Sequence, residues 1–200
     1  MVAMTSAATP KGTRRRTRLI EAAGALLLEG GFDAVRHRAV ADRAKLPLAS
    51  TTYYFASLED LMAEAAQYIT RSADEAIAAR GAALTRRRRG VAATAEALSA
   101  VFVGSQTPIE DLAARYELIA LAPRYPLLCD IVEERRQHVS EIHEGVLAKS
   151  GRSCDPRQVD WLIAVEDGAV VGSLGCSDGS PFEAARAALG GVVDLLAPRI

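Results

Sequence analysis

The sequence predicts an all-α protein, and three observations carry that prediction. Apolar residues recur at spacings of three and four along most of the chain, the period of one helix face, with no alternation of the kind a half-buried strand shows. Half of the 200 residues are hydrophobic yet only 5% are aromatic, and Ala and Leu outnumber the β-branched and aromatic types that favour strands. Pro108, Pro123, Pro126, Pro156 and Pro181 fall between the periodic runs, where they open or stop helices without breaking them.

Thr13 is a candidate cap for a first helix reaching about residue 29, with Leu19, Ile20, Ala23, Leu26 and Leu27 on its apolar side. Gly30 and Gly31 are expected to end it, because a glycine takes the left-handed terminal conformation without a Cβ penalty. A short second helix over residues 36–44 buries Val40, Ala41 and Ala44, side chains small enough to let a neighbouring helix come close. After a turn at Lys45 and Leu46, Pro47 suits the first position of a third helix over residues 47–55, since its missing N–H would lack a partner there anyway. Ser57-Leu58-Glu59-Asp60 reads as a cap with an acidic third position, opening a longer fourth helix toward Arg80.

From residue 90 onward helix follows helix. The clearest covers 127–147, with Leu128, Ile131, Val132, Val139, Ile142 and Val146 on one face, and two more cover about 156–176 and 181–197. The run Arg86–Arg89 reads as a solvated loop. The chain is thus expected to divide into residues 1–57, holding three short helices, and residues 58–200, a larger helical domain.

The net charge of −1 conceals an asymmetry. Residues 1–57 carry nine Lys and Arg against four Asp and Glu, a net +5, while the remainder carries fifteen against twenty-one, a net −6. A polyanion is attracted to the first quarter and repelled by the rest, which points to nucleic acid as a partner of the N-terminal part alone. Cys129, Cys154 and Cys176 form neither a disulfide framework nor a zinc-ligand spacing, so a reducing cytoplasm is expected. The opening MVAMTSAATP has no apolar targeting core, and the apolar stretch from Trp161 to Cys176, broken by Glu166 and Asp167, falls short of a membrane span.

Two short helices joined by a tight turn and braced by a third make a helix-turn-helix, whose second helix lies in the major groove of DNA. Here that helix presents Leu48, Ser50, Thr51, Thr52, Tyr53 and Tyr54. Hydroxyls donate to phosphate oxygens or base edges, and a Thr methyl packs on a thymine methyl. Arg36, His37 and Arg38, near the start of the second helix, are placed to meet the phosphate backbone, as are Arg14 and Arg16 in the basic N-terminal cluster.

The run from Gly31 to Leu61, GFDAVRHRAVADRAKLPLASTTYYFASLEDL, resembles the DNA-binding signature of the tetracycline-repressor (TetR) family, with Gly31-Phe32, Val40-Ala41, Ala44, Leu46, Tyr54-Phe55, Ser57 and Leu61 in register. The resemblance implies about nine helices, a homodimer joined through the last two, a small-molecule cavity in the C-terminal domain, and a ligand-responsive regulator, most often a repressor, of palindromic operator DNA. This chain departs from the family pattern at the turn glycine, which is Lys45, at a recognition-helix Tyr, which is Thr52, and at a Lys opening the fourth helix, which is Leu58. A positive φ at Lys45 would carry a strain of about 1–2 kcal/mol.

For the cavity the candidates are Phe102, Tyr116, His143, Trp161 and Glu166, aromatic or polar groups inside otherwise aliphatic helices. Gly168, Gly172 and Gly175 share one face of the eighth helix, and each weakens it by about 1 kcal/mol relative to Ala, so close approach of another helix is expected there. Phe182, Leu189, Val192 and Leu196, with Ala185, form an apolar stripe on the last helix that would complete a four-helix dimer interface. Glu134, His138 and Glu141 share a helix face without a second ligand set, so neither a metal nor another cofactor is expected. The competing reading is a helical small-molecule-binding protein or enzyme whose N-terminal helices are only structural; the chain offers it no Ser/His/Asp order and no phosphate-cradling glycine loop.

Overall fold

The computed structural model describes residues 9–176 and 179–200; most of the opening stretch read for a targeting segment lies outside them. Among the described residues are nine α-helices, one short 3-10 turn and no strand beyond an isolated bridge between Arg152 and Arg199. None of these helices is long and apolar enough to cross a membrane. The chain folds as two compact units divided between Ile69 and Thr70, so the boundary falls within the fourth helix rather than at residue 57.

In the first unit, α1 (Pro10–Ala34) starts earlier than expected. Thr9, not Thr13, caps it: the Thr9 Oγ1 accepts the Gly12 N–H at 3.2 Å, and Pro10 supplies a first position that needs no partner. The glycine pair interrupts the helical dihedrals as anticipated, but Gly31 does so at φ 66, ψ −167, an extended conformation open essentially to glycine alone. α2 (His37–Ala44) buries Val40, Ala41 and Ala44. Lys45 follows at φ 52, ψ 47, the left-handed conformation for which the family uses glycine.

α3 (Ala49–Tyr54) begins two residues after Pro47, because Pro47 and Leu48 form a preceding turn whose carbonyls accept the Ser50 and Thr51 N–H groups at 2.9 and 3.0 Å. α4 (Leu58–Ala83) opens at Ser57, whose Oγ accepts the Asp60 N–H at 3.0 Å. The interior of this unit is built from Leu19, Ala23, Leu27, Phe32, Val35, Val40, Phe55, Leu61 and Ala65. Removing side chains of this kind from water drives the docking of short helices that would not persist alone.

The second unit contains the rest of α4 and then α5 (Val91–Phe102), α6 (Ile109–Leu121), α7 (Cys129–Lys149), α8 (Pro156–Leu174) and α9 (Pro181–Leu196). Its main core joins Ile77, Leu98, Val101, Phe102, Val139, Val146, Leu147, Leu162, Leu189 and Val193, and a smaller one joins Val103, Leu112, Val170 and Ala185. Asp155 and Gln158 form a reciprocal capping box that starts α8.

The chain end is pinned by a buried Arg152, whose Nε donates to Thr94 Oγ1 at 2.9 Å and whose Nη1 donates to the Ala197 carbonyl and to Asp194, both at 2.7 Å. Arg89 corrects the reading of 86–89 as an entirely solvated loop. It is buried, and its guanidinium donates to the loop carbonyl of Thr85 and to the Lys149 carbonyl at the end of α7, which also accepts the Arg87 N–H at 2.9 Å.

Candidate functional site

The first unit turns one side of the helix-turn-helix outward. On α3 and its leading turn, Leu48, Thr52 and Tyr53 are exposed, Tyr53 at 77%. The Tyr53 ring stands edge-on to Tyr54, centroids 4.9 Å apart, so the half-buried Tyr54 props it upright. Ser50 is half-buried, Arg14 and Arg38 are exposed, and His37 is half-buried with its Nδ1 enclosed.

Three expected readers of DNA are otherwise engaged. Thr51 is a correction: it is fully buried and its hydroxyl donates to the Leu48 carbonyl at 2.8 Å, because on so short a helix one side must face the body of the unit. Arg16 pairs with Glu64 and lies over the Phe55 ring, 5.2 Å from its centroid. Arg36 donates to the carbonyls of Val35 and Phe32, closing the end of α1.

In the second unit a polar cluster is enclosed by the helices. His143 Nδ1 lies 2.9 Å from the Val139 carbonyl, which can only accept, so Nδ1 carries hydrogen. Nε2 lies 3.0 Å from Glu166 Oε2. The imidazole stacks on Phe102 with centroids 3.5 Å apart and planes 12° from parallel. Glu166 Oε1 is buried and has no hydrogen-bond partner among the described residues.

Tyr116 donates its hydroxyl to Asp167 at 2.8 Å, and burial chiefly pushes its phenol well above the ordinary range, so it stays a donor. Arg135 forms a buried ion pair with Asp74. Burial brings the Arg135 guanidinium down to about 10, with Arg115 reinforcing and Asp74 opposing, while it raises the Asp74 carboxyl despite the adjacent arginine. Lost hydration outweighs attraction on both sides of that pair. Four of the five expected cavity residues thus lie in this region; Trp161 is the correction, since it stands 56% exposed on the outer face of α8, away from the interior.

That outer face is continuous. Trp161, Ala164, Gly168, Val171, Gly172 and Gly175 are all exposed, and a Cβ added at any of the three glycines would meet nothing within 4 Å. Their expected close partner is therefore not another helix of this unit. On α9 the expected interface stripe requires correction. Leu189 is fully buried in the unit's own core, and Phe182, Val192 and Leu196 pack against the core clusters, because this side of α9 is what covers α5 and α8. The outward side of α9 carries Glu183, Ala187, Gly191, Asp194 and Leu195, the last 78% exposed. Among the described residues no three His, Cys, Asp or Glu side chains gather as a metal site.

The family model described as "Tetracyclin repressor-like, C-terminal domain" matches residues 89–195, more than half of the chain. The chain belongs to the TetR family. Among solved structures, the multidrug binding protein EbrR complexed with proflavin is 30% identical over 88% of this chain and 97% of its own, with a TM-score of 0.67. EbrR has also been solved with ethidium. The TetR-family member SCO1917 from Streptomyces coelicolor A3 is 30% identical over 88% of this chain and 95% of its own, TM-score 0.64. A transcriptional regulator from Rhodococcus sp. Rha1, 19% identical over 92% and 98%, TM-score 0.72, shares the fold. A search among curated proteins finds no match.

This TetR-family regulator also holds polar residues that sequence reasoning passed over. Arg135 shares the inward face of α7 with Val139 and Val146, at spacings of four and eleven. A cation on an apolar stripe was the signal that a buried carboxylate must meet it. Asp167 and Arg115 join the same network, their side chains 3.7 Å apart.

Proposed function

We propose that this protein is a homodimeric, ligand-responsive repressor that grips palindromic operator DNA through the Tyr53 face and releases it when an aromatic cation occupies the polar core of the second unit. The observation that carries the reading is the outward set Leu48, Thr52 and Tyr53, with Arg14, Arg38 and Lys45 exposed in the same basic unit. One such head spans only a few base pairs, so specificity needs two copies on half-sites about one helical turn, roughly 34 Å, apart. The uncovered and mainly apolar middle of α8, with the small residues Ala187 and Gly191 on α9, supplies a self-complementary surface for that pairing, with glycines that admit a twin helix closely; charges stand toward the helix ends, at Arg157, Glu183 and Asp194.

For the effector, the unpartnered Glu166 Oε1 beside the stacked Phe102 and His143 rings suits a flat ring system bearing positive charge or N–H donors. Proflavin and ethidium, held by EbrR, are of that class. Release follows if the core admits the ligand only when the two heads are spaced wrongly for successive major grooves.

The DNA reading is tested by fluorescence anisotropy with a labelled duplex from the protein's own upstream region. Saturable, salt-sensitive binding to a palindrome is expected, with Tyr53→Ala weakening it by roughly ten- to a hundredfold at an unchanged melting temperature. Equal affinity for random duplex, or no effect of Tyr53→Ala, contradicts the reading and leaves the N-terminal helices a structural role.

A further inference from the structure

A second site lies in the C-terminal unit, sharing no lining residue with the His143–Glu166 cluster. The end of α5, the α5–α6 turn, the start of α9 and Arg80 of α4 enclose a cleft of about 430 Å³. Arg80 is half-buried on its wall, and its Nε donates to the Val101 carbonyl at 2.8 Å, which fixes the plane of the guanidinium. That bond leaves both terminal nitrogens over, and among the described residues no carboxylate comes within ion-pair distance of Arg80.

Its neighbours make the excess charge plainer. Arg135 has Asp74, and Arg115 has Asp167 at 3.7 Å, so Arg80 is the cation of this group without a counter-ion. Burial lowers its affinity for the proton, with the Arg115 charge adding to the effect, and nothing offsets them. The turn is shaped to its head group: Gly104 sits at φ 77, and a Cβ there would come within 2.7 Å of Thr107 Oγ1 and 3.5 Å of Arg80 Cζ. Ala100 and Phe182 make the apolar part of the lining, and Glu96 lies at the rim, drawn toward Arg186 at 3.6 Å.

We propose that this cleft is a binding site for a small monocarboxylate with an apolar body, the carboxylate meeting the terminal nitrogens of Arg80 and the body lying against Phe182 and Ala100. A planar, oriented guanidinium matches a carboxylate with two parallel hydrogen bonds. Glu96 at the mouth, although paired with Arg186, disfavours ions of higher negative charge. The site is independent of the effector reading, since the two clusters attract opposite charges.

The test is isothermal titration of the full-length protein with hexanoate, hexan-1-ol, hexylammonium and inorganic phosphate, with ethidium fluorescence followed in parallel without DNA. Hexanoate is expected to bind saturably and the other three at least roughly tenfold more weakly. Arg80→Met removes hexanoate binding by a similar factor and leaves ethidium binding unchanged; Glu96→Gln, at the exposed rim, tightens hexanoate two- to threefold by removing a like charge, an order-of-magnitude expectation. Equal binding of hexanol or hexylammonium overturns the proposal, as does phosphate binding that matches hexanoate. Should Arg80→Met fail to fold, Glu96→Gln decides, and unchanged or weakened hexanoate binding in that variant overturns it. Loss of ethidium binding alone leaves this site intact and counts against the effector reading.

Discussion

The outward side of α3 and the outward side of α8 are both uncovered in a single chain, yet they are built from opposite materials. Around α3 stand hydroxyls and cations, Thr52, Tyr53, Arg38 and Lys45, groups that water satisfies until a phosphate replaces it. Along α8 stand Trp161, Ala164, Gly168, Val171 and Gly172, with Gly175 at its end, a face charged only in its first turn, at Arg157, and with two glycines, Gly168 and Gly172, that weaken the helix carrying them. The first surface tolerates solitude and suits a polyanion. The second is costly alone and gains only from close apposition of another apolar helix, so exposure by itself says little about the kind of partner until its chemistry is considered.

The comparison breaks most visibly at Gly172. An arginine there sits harmlessly in the single chain, where a Cβ meets nothing, but places two charges in a twin interface. Gly172→Arg is expected to raise the dimer dissociation constant by roughly a thousandfold, read by analytical ultracentrifugation, with little change in helicity. A dimer as tight as wild type removes α8 from the interface.

Ion pairs sharpen the contrast at an intermediate scale. Arg16–Glu64 in the first unit is half-open to solvent, whereas Arg135–Asp74 in the second is enclosed. Asp74→Ala is expected to cost about 3–5 kcal/mol in chemical denaturation by stranding Arg135, and the double change Asp74→Ala with Arg135→Met much less. Glu64→Gln is expected to cost under about 1 kcal/mol. A double variant no milder than the single would show that the enclosed pair is not coupled.

The smallest effect concerns Lys45. Its left-handed dihedrals favour glycine, so Lys45→Gly is expected to stabilise the first unit by about 1 kcal/mol while lowering affinity for duplex slightly through the lost charge. A lower melting temperature would show that the Lys45 side chain contributes packing that its exposure conceals.

Much of this was legible in the residues. Small apolar side chains at Val40, Ala41 and Ala44, the glycine pair and the Ser57 cap located the head, since each reports a local requirement of a helix or its end. Orientation was harder. The stripe Phe182–Leu189–Leu196 is apolar because it covers this unit's own core, and a dimer face has the same composition, so periodicity could not say which way α9 turns. Hydroxyls occur on both sides of α3, which hid the burial of Thr51. The union of His143 with Glu166 and of Arg135 with Asp74 depends on helices far apart in sequence, and no local pattern encodes such pairings.

The most direct trial of the account is the coupling between head and core. Operator affinity is measured by anisotropy with and without benzamidinium, a flat aromatic cation with N–H donors whose single ring does not intercalate. The account predicts that the cation weakens operator binding by about five- to a hundredfold, and that Glu166→Gln abolishes this response while binding operator normally in its absence. Operator affinity indifferent to the cation at concentrations that saturate the protein would contradict it.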